Sequence, residues 1–161
     1  MTKDKKRIQA SYKDFRDTIK SEGPMVLGVF PTKEAEIPFA FSYTIGNQAK
    51  GLPELLVIGS KCGAYLNEMS ERMIKQSKAF DHGEVIETSA LLNAPASKKY
   101  RIKIINATNE AHEKYTIQAG VYFGTQDYKV QQIILSDEEG RFPDEVGCAP
   151  GYANVPILAA V

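Results

Sequence analysis

Apolar residues gather in six short runs along the chain, and polar, glycine or proline residues bound each run. Runs of this length, rich in β-branched and aromatic side chains, predict β-strands. The predicted strands span 25–30, 37–45, 54–58, 84–88, 100–105 and 128–135. The segment 89–99, which contains Asn93, Pro95 and Ser97, predicts irregular structure.

Apolar residues at helical spacing predict three helices between these strands. The first helix ends at Gly23-Pro24, the second can be capped by Ser60, and the third can be capped by Thr108 or Asn109. The inward positions are Ile8, Tyr12, Phe15 and Ile19 in the first helix, Leu66, Met69, Met73, Ile74 and Phe80 in the second, and Ala111, Tyr115, Ala119 and Tyr122 in the third.

The order of these elements favours one α+β domain. Helices interrupt the strands irregularly, which indicates a mainly antiparallel, barrel-like sheet packed by about three helices rather than a doubly wound parallel sheet. A chain of 161 residues is close to the commonest size of a single domain, so we expect residues 1–161 to form one unit. Residues 1–7 are polar and charged, and we expect them to be flexible.

Charge and hydropathy narrow the classes of function. Twenty basic residues balance twenty acidic ones, so the excess positive charge typical of nucleic-acid binders is absent, and we expect no nucleic-acid partner. No apolar run approaches the ~20 residues that span a bilayer, and the charged start lacks a signal-peptide core. We therefore expect a cytoplasmic protein without a membrane segment, whose Cys62 and Cys148 are reduced thiols.

Three stretches of the sequence occur in an order that resembles a known family. The first stretch is 39–46 with 52–59, which contain Tyr-Thr-Ile-Gly and Pro-Glu-Leu respectively. The second is Tyr122-Phe123-Gly124, followed by 130–134. The third is 136–143, which reads Ser-Asp-Glu-Glu-Gly-Arg-Phe-Pro, with 155–158 near the end of the chain. Together they resemble the bacterial and phage proteins grouped as domain of unknown function 4262.

The resemblance covers about residues 25–158 and implies a small bacterial or phage cytosolic protein. Two positions depart from the family pattern. Members commonly have a proline before the aspartate of the third stretch and a tryptophan after its proline, whereas this chain has Ser136 and Asp144. The resemblance implies no activity, so any candidate site has to be argued from the residues.

The first candidate site lies where the second predicted strand ends. Strand ends and the loops that follow them commonly carry ligands. Side chains and backbone that could bind a ligand or a partner there belong to Tyr43, Thr44, Gly46, Asn47, Glu54 and Asn67. The alternative is ordinary turn chemistry, with Gly46 at positive φ and Pro53 holding a bend.

The second candidate site is the acidic turn 137–141. Asp137, Gly140 and Arg141 belong to a segment of three acids and one base that could bind a cation or a basic partner. The spacing of a calcium loop is not met, so no metal site is predicted. An exposed β-turn with Gly140 in the left-handed conformation is the alternative interpretation.

Single reactive side chains add little to these two sites. His82 follows a predicted helix end, and His112 falls on a predicted exposed helix face, so both are interpreted as surface histidines. Cys62 opens the second predicted helix, where a thiol can become nucleophilic, but no histidine is placed beside it. Ser60-Lys61 lacks the glycine-rich segment of a phosphate loop. No cofactor is predicted.

Three functions remain open. The first is a non-catalytic protein-interaction domain, regulatory or modulating host defence, and the absence of an assembled catalytic motif favours it over an enzyme. The second is a protein or enzyme that binds a small molecule similar to a nucleotide or a flavin. The third is a homo-oligomer that pairs through an exposed strand edge.

Overall fold

The computed structural model describes residues 16, 17, 19, 23–31, 37–59, 63–87 and 100–160. The strands are β1 (Met25–Val29), β2 (Phe41–Ile45), β3 (Glu54–Ile58), β4 (Glu84–Glu87), β5 (Arg101–Asn106) and β6 (Val130–Leu135). The α-helices are α1 (Gly63–Gln76), α2 (Ile117–Phe123) and α3 (Pro150–Ala153), with a 3-10 turn at Asn47–Lys50 and a π-helical turn at Ala111–Tyr115.

Several predictions from the sequence fall outside these residues. They concern the expected flexibility of residues 1–7, most of the N-terminal helix, the cap at Ser60, the thiol of Cys62 and the irregular segment 89–99. Of the N-terminal stripe, Ile19 is described and is helical, as are Arg16 and Asp17. Within the described ranges, no helix is both long and apolar enough to cross a bilayer.

The six strands form one open sheet in the order β1-β2-β3-β6-β5-β4. Each half of the chain contributes a three-stranded antiparallel meander, and the two meanders meet where β3 pairs with β6 in parallel. The expected α+β class with a mainly antiparallel sheet is therefore correct, with one parallel pairing at its centre. The expectation of a barrel-like sheet is wrong, because β1 and β4 lie at opposite edges and do not pair with each other.

One face of the sheet is covered by α1. Leu66, Met69 and Met73 on this helix are fully buried against Ile102 and Ile104 of β5 and the apolar residues of β3 and β6. The helical spacing in the sequence identified these inward positions correctly.

The opposite face is covered by the second half of the chain. Ala111, Tyr115 and Ala119 pack there against Tyr43 and Leu56, with Leu158 completing the cluster. Phe41 contacts Tyr115 edge to face, with ring centroids 5.1 Å apart. The arrangement places the π-helical turn directly above the β1–β2 end of the sheet.

The single helix predicted after Thr108 is interrupted at Thr116. Its φ of −84° and ψ of 38° lie outside the helical region, and its hydroxyl contacts the carbonyl oxygen of Ala111 at 3.2 Å and the hydroxyl of Tyr128 at 2.8 Å. Because a π-turn holds more residues than an α-turn, the side chains before Thr116 are rotated relative to a continuous α-helix. The break thus changes which residues of 111–115 face the core.

The side-chain amide of Gln132 holds the C-terminal segment on the sheet. Its Nε2 donates to the carbonyl oxygen of Pro156 at 2.7 Å, and its Oε1 accepts from the N–H of Leu158 at 2.8 Å. The N–H of Thr108 donates to the carbonyl oxygen of Leu158 at 2.8 Å. One amide therefore replaces a neighbouring strand as the hydrogen-bonding partner of this segment.

Replacing Gln132 with methionine is expected to lower the free energy of unfolding by about 2 kcal/mol, since a buried donor and a buried acceptor lose their partner. Urea unfolding monitored by circular dichroism measures the change. Gln76→Met, at an exposed position near the end of α1, is the control and is expected to change stability by less than about 0.5 kcal/mol. Equal stability of the two variants would show that the amide does not hold the segment.

Candidate binding surface

Four of the residues expected at the first candidate site meet in a buried polar cluster, here called the Glu54 cluster: Thr44, Gly46, Asn47 and Glu54. Glu54 is fully buried at the start of β3. Its Oε1 accepts from Thr44 Oγ1 at 3.1 Å and from the N–H of Asn47 at 2.9 Å. Its Oε2 accepts from the N–H groups of Gly46 at 3.1 Å and Gln48 at 3.3 Å. The carboxylate therefore caps the turn that links β2 to β3.

The local sequence explains why the chain turns here. Gly46 has a φ of 133°, and a Cβ at this position would lie 2.9 Å from Pro24 Cα, so only glycine fits without a shift of the backbone. Asn47 then directs its Nδ2 to Ser70 Oγ on α1 at 3.1 Å. The cluster thus joins the turn, two strands and the helix.

Burial and hydrogen bonding act on Glu54 in opposite directions. Removal from water raises the pKa of the carboxyl to about 7, while the three backbone N–H donors and the Thr44 hydroxyl hold it lower than burial alone would. Asn47 Oδ1 is buried nearby without a hydrogen-bond partner among the described residues. A group whose pKa is near neutrality makes the stability of this turn depend on pH.

The other two residues of that site lie elsewhere. Tyr43 is fully buried on the opposite face of the sheet, where its ring stacks on Phe41 with centroids 6.2 Å apart. Asn67 is exposed on α1 and forms no hydrogen bond with the cluster. The structure therefore unites Thr44, Gly46 and Glu54 with Asn47 inside the fold, and a role for them in binding a ligand stays a prediction.

The acidic turn is organised around the carboxylate of Asp137. Its Oδ1 accepts from the N–H groups of Glu139 at 3.0 Å and Arg141 at 2.8 Å, and its Oδ2 accepts from the N–H of Ala149 at 3.0 Å. These bonds, led by that from Arg141, lower the pKa of Asp137. Gly140 has a φ of 81°, the left-handed conformation expected of it.

The side chains around this turn hold it to the sheet. The carbonyl oxygen of Gly140 accepts from Nε of Arg101 at 2.9 Å. Phe142 is buried beneath Arg101 and Lys103, whose charged groups lie 4.9 and 4.4 Å from the ring centroid. Arg141 itself is exposed and donates to the carbonyl oxygen of Gly147 at 2.8 Å. Within the part of the chain that the structure describes, no group of three or more His, Cys, Asp or Glu side chains could hold a metal ion.

The two histidines differ in their surroundings. His82 is exposed, as expected, and its Nδ1 accepts from the N–H of Asn106 at 2.9 Å. The prediction that His112 lies on an exposed helix face is wrong, because the π-helical turn directs it inward and it is only 9% exposed. Its Nε2 donates to the carbonyl oxygen of Tyr128. Cys148 is partly buried, and burial raises the pKa of its thiol, which disfavours the nucleophilic thiolate.

An apolar groove of about 640 Å³ lies between the end of β1 and the π-helical turn. The groove is lined by three prolines and by two charged residues of the π-helical turn. Its apolar lining includes Val29, Phe30, Phe39, Phe41, Tyr115 and Ile117. Val29 and Phe41 are paired across β1 and β2, so the floor of the groove is the edge of the sheet.

A second depression of about 340 Å³ adjoins this groove along α2. Glu113 and Ile117 line both openings. Val121, one helical turn after Ile117, lines the second opening together with His112 and Gly120. The groove and the depression therefore form one continuous surface, here called the apolar surface.

Exposed apolar side chains concentrate on this apolar surface. Five large apolar side chains are exposed among the described residues: Phe30, Val85, Ile117, Val121 and Val146. Three of them, Phe30 at 80%, Ile117 at 52% and Val121 at 55%, line the groove or the depression. Contiguous exposed apolar groups on a protein surface are typical of interaction sites.

Comparison with known proteins identifies the family. The model of the family described as Domain of unknown function (DUF4262) matches residues 18–149. The chain belongs to this family. The resemblance noted in the sequence over about 25–158 is thereby confirmed over most of that range. No curated protein and no solved structure matches this DUF4262 chain.

The apolar surface of this DUF4262 chain was not predicted from its sequence. The third helix was assigned one inward stripe of Ala111, Tyr115, Ala119 and Tyr122; the first three are buried, and Tyr122 is partly buried against the same cluster. Ile117 and Val121 lie four residues apart on the same segment and outside that stripe. Two large apolar residues at helical spacing on the outward face were the signal that could have located the surface.

Proposed function

We propose that this DUF4262 chain is a non-catalytic interaction domain that binds a protein partner through the apolar surface. The observation that carries the proposal is the position of Phe30, Ile117 and Val121 beside two adjoining depressions. Leaving three such side chains in water costs free energy, and a partner that covers them recovers it. Protein interfaces commonly have apolar and aromatic centres of this kind.

The sheet edge beside the groove supports the same function. β1 is the last strand on its side of the described sheet, and an edge strand offers backbone N–H and C=O groups for pairing. The surface also carries charge at its rim, from Glu110, Glu113 and Lys114. A bacterial or phage cytosol, where such a domain could regulate a host protein, remains part of the proposal.

Affinity purification with Ile117→Asp tests the function. Proteins captured from a bacterial lysate are quantified for the wild type, for Ile117→Asp and for Val146→Asp. Val146 is exposed but does not line the apolar surface, so Val146→Asp is the control. We expect Ile117→Asp to reduce capture of the specific partner by about tenfold or more, as for the central residues of an interface. An aspartate at the start of α2 is compatible with the helix. Equal capture by all three proteins would overturn the proposal.

A second candidate function is the binding of a small molecule. The volume of the groove, about 640 Å³, and its mainly apolar lining suit a compact ligand. Native mass spectrometry of the gently purified protein distinguishes this case, because a bound metabolite adds a reproducible mass that disappears on denaturation. The same adduct on Ile117→Asp would exclude the groove as its site.

Self-association is the third candidate, and it uses the edge strand β1 rather than a foreign partner. Gel filtration over a hundredfold range of concentration separates it from the first two. A shift to a dimer that Ile117→Asp abolishes would identify the partner as a second copy of the chain.

A further inference from the structure

The charges at the rim of the apolar surface narrow the chemistry of the partner. Lys114 Nζ lies 3.0 Å from Glu110 Oε1, so these two charges neutralise each other. Glu113 is exposed and forms no ion pair with any other described residue. Among the described residues of the rim, one acidic charge therefore remains without a partner.

Glu113 occupies the boundary between the groove and the depression. It lines both openings, as does Ile117. An apolar side chain seated in either opening therefore places its neighbours in sequence close to the carboxylate. A basic side chain in that neighbouring position complements the charge, whereas an acidic one is repelled.

The groove favours an extended segment as the occupant. Its floor is formed where β1 ends, with Val29 opposite Phe41, and its wall is the π-helical turn. Phe30 stands at the mouth of the groove and is 80% exposed. Alternate residues of an extended chain face the same side. A chain that lies alongside an edge strand can therefore place one side chain in the groove and the side chain two residues further along next to the groove.

Building on the proposed function, we infer that the partner presents an extended segment in which lysine or arginine lies two positions from a bulky apolar residue. The apolar residue fills the groove between Phe30 and Ile117, and the basic residue contacts Glu113. Arginine suits this position well, since its guanidinium can form two hydrogen bonds with one carboxylate.

Selection from a random library of twelve-residue peptides, displayed on phage, provides the probe. The immobilised full chain selects binders, and the best peptide is synthesised with a fluorescent label. We expect enriched peptides to combine a bulky apolar residue with lysine or arginine two positions away. Fluorescence anisotropy then gives the Kd for the wild type and for each variant.

One substitution at the rim, compared with a control away from it, tests the contribution of charge. Glu113→Gln is expected to weaken binding by about fivefold, and Glu71→Gln, an exposed glutamate of α1 on the other face of the sheet, serves as the control with no effect. A peptide whose basic residue is changed to glutamine should bind the wild type and Glu113→Gln equally. If the effect of Glu113→Gln on Kd disappears when the peptide lacks its basic residue, the two charges interact directly.

Each outcome has a defined meaning. Coupled losses at Glu113 and at the basic residue, together with weakened binding to Ile117→Asp, support the inference. Selected peptides without a basic residue, or with Kd values unaffected by Glu113→Gln, overturn it while leaving the proposed function intact. Failure to select any peptide overturns it as well, because the partner then does not present a linear segment. The proposed function itself fails only if lysate capture is independent of Ile117.

Discussion

Replacing Glu54 with alanine is expected to lower the free energy of unfolding by about 4 kcal/mol. The substitution removes the acceptor of four hydrogen bonds in the buried turn, from Thr44 and from the N–H groups of Gly46, Asn47 and Gln48. Each buried donor left without an acceptor costs about 1–3 kcal/mol, and removing the desolvated charge recovers part of that sum.

Chemical unfolding of the wild type and of Glu54→Ala measures this loss. Glu71→Ala is the matched control, because it truncates an exposed glutamate and is expected to change stability by less than about 0.5 kcal/mol. A loss below about 1 kcal/mol for Glu54→Ala would show that water or a rearranged turn satisfies the donors in its absence.

The stability of the wild type is expected to fall by about 3 kcal/mol, relative to Glu54→Gln, as the pH rises from about 4.5 to about 7.5. Burial raises the pKa of Glu54 from 4.5 to about 7. Below pH 4.5 the carboxyl holds its proton in both states, so its contribution is complete there. Between pH 4.5 and pH 7 the unfolded chain releases the proton of Glu54 more readily than the folded chain does. Each pH unit in this range therefore lowers the free energy of unfolding by about 1.4 kcal/mol.

Urea unfolding of both proteins at several pH values tests this dependence. Glutamine cannot titrate, so the difference between the two curves isolates Glu54 from the other ionisable groups. A difference that does not vary with pH would mean that the four donors return the pKa of the folded state to its ordinary value. A difference of the opposite sign would mean that the four donors lower the pKa of Glu54 in the folded state below its ordinary value.

The sequence predicted the strands well because their signals are local. The strand 54–58 was located with the bounds that the structure gives it, and the inward residues of α1 follow directly from helical spacing. The predicted barrel was wrong because closure depends on which strands become edges, and no short segment carries that information. The helix α3 was missed because its four residues show no periodicity.

The burial of His112 was missed for a different reason. Its position was inferred from a regular 3.6-residue period, and the π-helical turn Ala111–Tyr115 breaks that period. The break depends on Thr116 meeting the hydroxyl of Tyr128, a contact between residues twelve positions apart. Periodicity within one helix cannot reveal such a contact.

The proximity of the residues in the Glu54 cluster was predicted from the sequence, whereas their role in binding stays a prediction. Thr44, Gly46, Asn47 and Glu54 were grouped correctly because they lie within one strand–turn–strand segment. Their partner Ser70 could not be found in this way, since it belongs to a helix on a later segment. The apolar surface could not be found from one segment either, because β1 and α2 contribute to it from distant parts of the chain.

The parallel seam between β3 and β6 has a consequence for synthesis on the ribosome. Strands β1 to β3 can pair as soon as they emerge, but Glu54 must wait for Val130, its partner across the seam. Until then, five consecutive residues that end up buried, Glu54–Ile58, form an unpaired edge of the nascent meander. Exposed edges of this kind recruit other chains. During the interval between translation of β3 and of β6, we therefore expect the nascent protein to be exposed to aggregation through this edge.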